Sequence, residues 1–283
     1  MTSSSIFRLV AGLQGRFNDL FFRPIFPTND ETSGIAGLVI FFPGDCQTYE
    51  SEMSKHPENK VYAKSWCFER TAELLARKFP ADHVTIVKPS KMSRGTFACF
   101  ENFVAMEDDT YGIPRHSDNY QAWTHLQLLI ENLYKNLHIN FACLSGVKLI
   151  GFSKGCVVLN QLLFELPHFV QKSPDSAQFS AKISDFYFLD GGHNGGRNAW
   201  ITDKSLLECC FGEVFSDKRV KVHVHMTPYQ LQDRRRPYIN REEKIFSTIL
   251  KEVLGKRFER NVHFENEYGD IDLHFRILEE FQP

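Results

Sequence analysis

The sequence of 283 residues is 42% hydrophobic and 24% charged, which is typical of a globular protein with a sizeable core. Its formal net charge of -2 arises from 33 Lys and Arg residues against 35 Asp and Glu residues, a balance that does not indicate a nucleic-acid partner. No apolar run reaches the roughly 18 residues that a membrane span needs, so no transmembrane segment is predicted.

The N-terminal segment, residues 1–30, differs in character from the remainder of the chain. Apolar residues recur at helical spacing between residues 6 and 21, and three arginines accompany a single acid, Asp19. This pattern is typical of a mitochondrial presequence. An N-terminal helix docked on the domain would have the same periodicity, so both interpretations are kept open. Residues 31–283 are predicted to form one domain.

Strands and helices alternate along this domain. Short apolar runs predict strands at 37–42, 84–87, 147–150, 183–189, 220–226 and 261–264. Amphipathic patterns predict helices at 66–79, 120–137, 156–166, 241–254 and 274–281, with Pro167 ending the third and a polar loop at 172–180. The alternation predicts a mostly parallel central sheet with helices on both faces. Residues 90–119 are too polar and too long for a plain connection and are predicted to be an inserted lid.

Cysteine and histidine spacing gives no sign of a metal, a disulfide framework or an organic cofactor. The seven cysteines are scattered, mostly inside apolar runs, and no CxxC pair occurs, which is typical of a reducing compartment. His223 and His225 alternate along one strand, but no third ligand follows at a metal-binding spacing, so packing is the favoured interpretation.

The segment Gly151-Phe-Ser-Lys-Gly155 follows a β-branched apolar strand and opens a helix. That setting is the one a nucleophile elbow requires, whereas the five-residue pattern alone is weak. The two flanking glycines fit a turn in which a neighbouring Cβ would clash. We therefore predict an α/β-hydrolase fold in which Ser153 is the nucleophile; a glycine-bracketed turn without chemistry is the alternative.

A serine nucleophile needs a general base and an acid that orients it. His274 is the only histidine after the last predicted strand, where this fold places its base, and His263 within that strand is predicted to pack. Asp233 is the preferred acid because it follows the penultimate strand by a short loop. Asp190, at the end of the strand after the elbow, is the alternative.

An oxyanion hole needs two N–H donors aimed at the developing charge. One is predicted to be the backbone amide of Lys154, directly after the nucleophile. The other is predicted in the loop after the first strand, at Asp45 or Cys46, where Gly44 lets the backbone approach. Further along, the run Arg234–Arg236 is interpreted as a solvated loop face, with anion binding as the alternative.

Five segments in combination resemble one known family: Phe-Pro-Gly-Asp45, the elbow, Leu-Asp-Gly-Gly-His-Asn-Gly-Gly196, Thr-Pro-Tyr-Gln230 and His-Phe-Arg276. The chain is similar over nearly its whole length to a eukaryotic family of mitochondrial α/β-hydrolase-like proteins named for a human chromosome-2 open reading frame. The resemblance implies a serine-hydrolase-like fold, a mitochondrial location and a link to mitochondrial function; the mitochondrial matrix is the predicted location, with the cytoplasm as the alternative. It does not supply a substrate.

These patterns together predict a serine hydrolase of the esterase, thioesterase or lipase type that acts on a small-molecule ester or acyl substrate without a cofactor. The competing hypothesis is a non-catalytic member of the same fold that serves as a binding or scaffold protein, because a fold does not fix a function. A protein partner belongs to that second hypothesis, and the sequence does not identify one.

Overall fold

A computed structural model describes residues 4–25, 36–108, 110–216 and 220–283. Within these ranges the strands are β1 (Ser5–Ala11), β2 (Phe17–Arg23), β3 (Gly37–Phe42), β4 (Asp82–Val87), β5 (Lys91–Ser93), β6 (Phe97–Cys99), β7 (Ala105–Asp108), β8 (Ile113–Arg115), β9 (Val147–Phe152), β10 (Ile183–Leu189), β11 (Lys221–Met226) and β12 (Phe258–Val262). The helices are α1 (Glu50–Met53), α2 (Ala63–Trp66), α3 (Phe68–Lys78), α4 (Ala122–Leu137), α5 (Cys156–Lys172), α6 (Pro174–Ala181), α7 (Lys204–Glu208), α8 (Pro228–Leu231), α9 (Pro237–Leu254) and α10 (Ile271–Glu280).

Eight of these strands form one sheet in the order β1-β2-β4-β3-β9-β10-β11-β12. The six strands from β4 to β12 in that order are parallel, and β1 and β2 join antiparallel beyond β4. The carboxyl ends of parallel strands meet at one edge of a sheet, so the loops after β3, β9, β10 and β11 share that edge. This topology is that of the α/β-hydrolase fold, and the predicted fold class is confirmed.

Hydrophobic cores lie on both faces of the sheet. On one face α4, α5 and α9 pack against it through residues such as Leu126, Leu162 and Phe246. On the other face α3 and α10 pack through residues such as Phe68 and Phe275. Burying each such side chain contributes about 1.5–3 kcal/mol, which is why the strands between them are apolar on both sides. Within the described ranges, no helix combines the length and apolar character that crossing a membrane requires.

The N-terminal segment forms strands rather than the predicted helix. Residues 5–23 fold as the hairpin of β1 and β2, and β2 pairs with β4. Leu20, Phe21 and Phe22 are buried by this pairing. The free edge of β4 offers a row of backbone donors and acceptors, and pairing with it outweighs the local helical periodicity. The helix prediction is wrong, whereas the presequence stays a prediction, and removal of residues before about 26 would take two strands from the sheet.

The two outermost strands of the sheet differ from the central ones: β1 has an irregular register and β12 has exposed polar residues. In β1 the register shifts between Phe7 and Val10, where Leu9 has a φ of 47°. The Leu9 amide donates to the Asp19 carboxylate at 2.9 Å instead of to a strand. At the opposite edge the three central residues of β12, residues 259–261, are polar and exposed. Neither edge therefore presents a long, flat, apolar strand.

A buried histidine ties the N-terminal hairpin to α4. The Leu13 amide donates to His125 Nδ1 at 3.0 Å, and His125 Nε2 lies 2.8 Å from the Asn18 side-chain oxygen. Because a backbone N–H can only donate, Nδ1 must be unprotonated and the ring proton sits on Nε2. The Arg16 guanidinium adds a bond to the Tyr120 carbonyl at 2.9 Å. The hairpin is therefore held by a ring that has to be neutral.

Acid should weaken this attachment. Burial, with a smaller effect of Arg16, lowers the pKa of His125 from 6.5 to about 3. Between those two pH values the unfolded chain binds a proton that the folded protein does not, so the free energy of unfolding falls as pH drops below about 6.5. We expect His125→Gln to reduce this dependence by about 1.4 kcal/mol per pH unit between pH 6 and 4. Urea unfolding of both proteins across that range measures it.

The matched control for this experiment is His168→Gln, which changes an exposed histidine on α5. It should leave the pH dependence of unfolding as in the parent protein. Half-buried His116 and buried His193 and His225 also have pKa values lowered by desolvation, so a residual slope is expected in the His125 variant. Equal slopes for the His125 variant and the parent would contradict the neutral-ring attachment.

Helix α5 continues beyond the predicted end at Leu166 and runs through Pro167 to Lys172. A proline has no N–H to donate to the carbonyl four residues earlier, which here belongs to Leu163. The thiol of Cys210 donates to that carbonyl instead, with 3.2 Å between sulfur and oxygen. The side chain from a neighbouring segment replaces the missing helical bond, so the helix is not broken.

The predicted polar loop at 172–180 is also corrected, because Pro174–Ala181 is helix α6. Ser173 caps it by accepting the Ser176 amide at 3.1 Å, and Pro174 occupies the first helical position. Serine as N-cap followed by proline is a common start signal for a helix.

The predicted insertion at 90–119 contains two short hairpins, β5–β6 and β7–β8. In the first hairpin, the Ala98 amide donates to the Asp45 carboxylate at 2.7 Å. In the second, the Tyr111 carbonyl accepts the Lys154 ammonium at 2.6 Å. The insertion is thus attached to the loops after β3 and β9, while its role as a lid stays a prediction.

Candidate active site

The nucleophile elbow lies between β9 and α5. Ser153 has a φ of 52°, in the left-handed region, and is 8% exposed. A Cβ on Gly151 would lie 2.9 Å from the backbone nitrogen of Cys156, and one on Gly155 would overlap the carbonyl oxygen of Phe42. Both flanking positions therefore require glycine. A strained backbone of this kind persists where the surrounding structure holds it, and such positions cluster at functional sites.

His274 and Asp190 form a buried pair. His274 lies in the first turn of α10 and is 4% exposed, and Asp190 follows β10 and is fully buried. The distance from His274 Nδ1 to Asp190 Oδ2 is 2.6 Å. This bond leaves Nε2 as the ring nitrogen that can accept a proton from a nucleophile.

Two donors from Thr227 hold the Asp190 carboxylate. The Thr227 amide donates to Oδ1 at 2.7 Å and its hydroxyl donates to Oδ2 at 2.6 Å. The backbone also fixes this residue, since the Asp190 amide donates to the His225 carbonyl at 2.7 Å and its φ is 47°. The carboxylate is thus oriented before it meets the histidine.

Asp233, the acid preferred from the sequence, does not contact His274. Its carboxylate accepts the Arg236 guanidinium at 2.7 Å and the Arg235 amide at 2.8 Å. Asp233 is drawn into a local turn because Arg236 follows it by three residues. The geometry corrects the preference for Asp233 and favours the alternative acid, Asp190.

The serine turn and the histidine lie side by side. The ring of Phe152, which directly precedes Ser153, packs on the His274 ring with 4.6 Å between centroids. In the loop after β3, a Cβ on Gly44 would come within 2.9 Å of the Ser153 Cβ. No hydrogen bond joins the Ser153 hydroxyl to His274, both of which lie in the described part of the chain. Such bonds are often long in a ligand-free protein and shorten when substrate binds.

The loop after β3 offers one candidate oxyanion donor and excludes another. The Cys46 amide donates to the Thr96 carbonyl at 2.7 Å, so the prediction that it faces an oxyanion is wrong. The Asp45 amide has no acceptor among the residues that the structure describes. Lys154, whose amide is the other predicted donor, begins the turn that leads into α5. Asp45 and Lys154 thus remain the candidate pair.

Two charged side chains accompany these amides, buried Lys154 and half-buried Asp45. The Lys154 side chain is 2% exposed and reaches the insertion. Desolvation raises the pKa of Asp45, and the positive charge of Lys154 and the bond from the Ala98 amide oppose that rise. The elbow, the first loop and the insertion therefore share one electrostatic environment.

Thr227 and Tyr229 are site residues that the sequence analysis missed. Thr227 directly follows β11 and caps α8, its hydroxyl accepting the Tyr229 amide at 3.2 Å while it donates to Asp190. The Tyr229 ring packs on His274 with 4.5 Å between centroids. A Thr-Pro pair directly after a buried strand is a signal for an N-cap. It does not reveal that the same hydroxyl faces another strand end.

The histidines of β11 have partners within the protein. His223 Nε2 lies 3.1 Å from the Asp185 carboxylate, and His225 Nδ1 lies 2.9 Å from His263 Nε2. His263 follows β12 directly, and its amide donates to the Met226 carbonyl at 2.8 Å. In the part of the chain that the structure describes, no three metal-ligating side chains are grouped to hold an ion.

Comparison with known proteins gives matches along most of the chain. A family model described as C2orf69 matches residues 6–142 and 141–255. A protein of Danio rerio named "Mitochondrial protein C2orf69 homolog" is 38% identical over 257 residues, which cover 86% of this chain and 72% of the relative. The human protein named "Mitochondrial protein C2orf69" is 34% identical over 294 residues, covering 86% of this chain and 74% of the relative. These names confirm the mitochondrial location that the resemblance predicts.

Among solved structures, the BES protein from Bacillus cereus is similar in fold. It aligns with a TM-score of 0.53 and 10% sequence identity, covering 100% of this chain and 96% of that protein. At this identity the likeness supports the fold, and the function has to be argued from the site itself.

Proposed function

Because the chain belongs to the C2orf69 family and has the α/β-hydrolase fold, we propose that it is a mitochondrial serine hydrolase, placed in the matrix, that cleaves an ester or thioester. The observation that carries the proposal is the Asp190–His274 pair, at 2.6 Å, beside a strained serine. A buried carboxylate on Nδ1 of a histidine has a simple chemical use here. It fixes the tautomer whose other nitrogen can receive a serine proton.

In the proposed mechanism His274 Nε2 removes the proton from Ser153 as the Ser153 oxygen attacks the substrate carbonyl carbon. The imidazolium that forms is stabilised by Asp190. The amides of Lys154 and Asp45 donate to the oxyanion of the tetrahedral intermediate. His274 then protonates the leaving alcohol or thiol, and a water molecule activated by the same ring hydrolyses the acyl-serine.

A fluorophosphonate probe tests the proposal without knowledge of the natural substrate. An activated serine attacks phosphorus, displaces fluoride and keeps the phosphonyl group as a stable adduct. We expect one adduct on the full-length protein, located by mass spectrometry of its peptides at Ser153. Ser153→Ala should abolish labelling with little change in unfolding midpoint, because removing a hydroxyl opens no large cavity.

The matched control is Ser184→Ala, which removes a half-buried hydroxyl at the amino end of β10, the opposite end from Asp190. It should label like the parent protein. A folded parent protein that acquires no adduct at Ser153 would contradict the proposal and favour the binding or scaffold hypothesis. A narrow substrate preference can explain a failed ester assay, but it does not explain an unreactive elbow serine.

A further inference from the structure

A cavity of about 750 Å³ opens beside the candidate active site. It lies between α8, the turn that follows it and the loop that leads into α10. Its lining includes Pro228, Tyr229, Gln232, Arg234, Arg235 and Tyr268. A volume of this size is within the range that proteins use for small ligands, about 300–1,000 Å³.

The lining of this cavity is positively charged. Arg234 and Arg235 are exposed, and neither guanidinium has an acidic partner among the residues that the structure describes. The acid in the lining, Asp233, has its carboxylate bound by Arg236 and by the Arg235 amide. Two guanidinium groups are therefore left to face the cavity, and guanidinium groups match the geometry of phosphate oxygens.

One side chain separates the cavity from the proposed catalytic histidine. Tyr229 lines the cavity, and its ring packs on His274 at 4.5 Å between centroids. Gly269, also in the lining, lies so close to α8 that a Cβ there would come 2.5 Å from the Pro228 carbonyl. The loop that leads into α10 is thus closely packed on α8, which fixes the cavity relative to His274.

The position of the cavity indicates which part of a substrate it could receive. The leaving group takes its proton from His274 in the proposed mechanism, so it lies on the His274 side of the scissile bond. Gly44, in the loop that is proposed to donate to the oxyanion, is close to Ser153, and the residues that line the cavity do not include it. A charged leaving group extending past His274 would reach Tyr229 first and the two arginines beyond it.

We propose that the Arg234–Arg235 cavity binds a phosphate group carried by the leaving alcohol or thiol of the substrate. This inference rests on the proposed function and narrows its substrate class to phosphorylated esters or thioesters. Arg234 and Arg235 hold the phosphate, and the exposed aromatic ring of Tyr268, 88% exposed in this structure, packs on the leaving group. Both arginines bind substrate and take no part in proton transfer.

Binding of inorganic pyrophosphate, measured by calorimetry on the full-length protein, tests the cavity independently of any hydrolysis. We expect the double variant Arg234→Ala/Arg235→Ala to lose at least tenfold in affinity. The matched control is Lys244→Ala/Lys251→Ala, which removes the same charge from a second cavity of about 640 Å³ along α9. That variant should bind like the parent. No binding by the parent protein, or equal losses in both variants, would overturn the proposal.

A kinetic arm separates the two sources of phosphate while keeping the acyl chain constant. Butyryl-coenzyme A supplies a phosphorylated thiol, dibutanoylphosphatidylglycerol a phosphorylated alcohol, and p-nitrophenyl butyrate an uncharged leaving group. We expect butyryl-coenzyme A or dibutanoylphosphatidylglycerol to have a higher kcat/KM than p-nitrophenyl butyrate. In the Arg234→Ala/Arg235→Ala variant the ratio of these two kcat/KM values should fall at least tenfold, because the KM for the phosphorylated substrate rises. An unchanged ratio of kcat/KM values in the variant would contradict phosphate binding in the cavity. If Ser153 fails to label but pyrophosphate binds as expected, only the proposed function is lost.

Discussion

Replacing Asp190 by asparagine should reduce turnover of p-nitrophenyl butyrate by about 10⁴ while the fold is retained. The asparagine would present an amide donor or an uncharged oxygen to His274, so the ring would take the wrong tautomer and lose its charged partner. Thr227 can still donate to the remaining side-chain oxygen, which preserves the local geometry. The measurement is kcat/KM of the two proteins, supported by equal unfolding midpoints.

Asp233→Asn is the control for this comparison, because it makes the same chemical change on the acid that the sequence favoured. It removes a partner of Arg236 and leaves the His274 hydrogen bond in place. Turnover should stay within about threefold, since the half-buried Asp233–Arg236 pair makes no hydrogen bond to His274. A loss of comparable size in both variants would contradict the assignment of Asp190.

Gly155→Ala should destabilise the protein by about 3 kcal/mol or more. The new Cβ would overlap the Phe42 carbonyl oxygen and lie 2.6 Å from its carbon and 2.9 Å from the Pro43 oxygen. All three are backbone atoms at the end of a central strand, so no side-chain rotation relieves the overlap. Urea unfolding measures the loss as a change in midpoint.

Gly212→Ala serves as the control for this effect. At that position the nearest atom to a new Cβ is a Val253 methyl at 3.8 Å, an ordinary contact in a helical segment. The stability should change by less than about 1 kcal/mol, since alanine is the better helix former. Similar unfolding midpoints for both variants would show that the elbow is not closely packed on β3.

Much of the fold follows from short apolar runs. Strand β3 is apolar and buried throughout, and β9 and β10 are mostly apolar and buried, so these runs lack the regular polar face of an amphipathic helix. The N-terminal hairpin was not predictable in the same way. Most of β1 is exposed and its register is irregular, and the hairpin forms because β4 offers an edge for β2 to pair with, which is information from a distant segment.

Helix ends depended on distant contacts too. Pro167 predicts the end of α5. The helix continues because the Cys210 thiol donates a hydrogen bond to the Leu163 carbonyl. By contrast, the start of α6 at Ser173 and Pro174 was present locally as a capping signal and could have been used. Neighbouring residues are therefore enough to predict the start of α6, but they are not enough to predict that α5 continues past Pro167.

The nucleophile and the histidine of the candidate site followed from sequence order, whereas the acid did not. The order of strands along the chain places Ser153 and His274 at the same edge of the sheet, independently of the contacts that their side chains form. The choice between two acids depends on hydrogen bonds formed after folding. Thr227 supplies the donors that hold Asp190, and Arg236 occupies Asp233. The three-residue spacing between Asp233 and Arg236 can be recognised in the sequence, whereas the contact between Thr227 and Asp190 cannot.

The hairpin of β1 and β2 has a consequence for the solubility of partly folded chains. Strand β4 is buried along its whole length and is highly apolar after its first residues, and β2 is what covers its outer edge. A molecule whose hairpin is detached, by acid or by proteolysis, would expose that edge as a template for pairing with another copy. The irregular β1 ends the sheet on that side, so an intact hairpin acts as a built-in barrier to amyloid-like association.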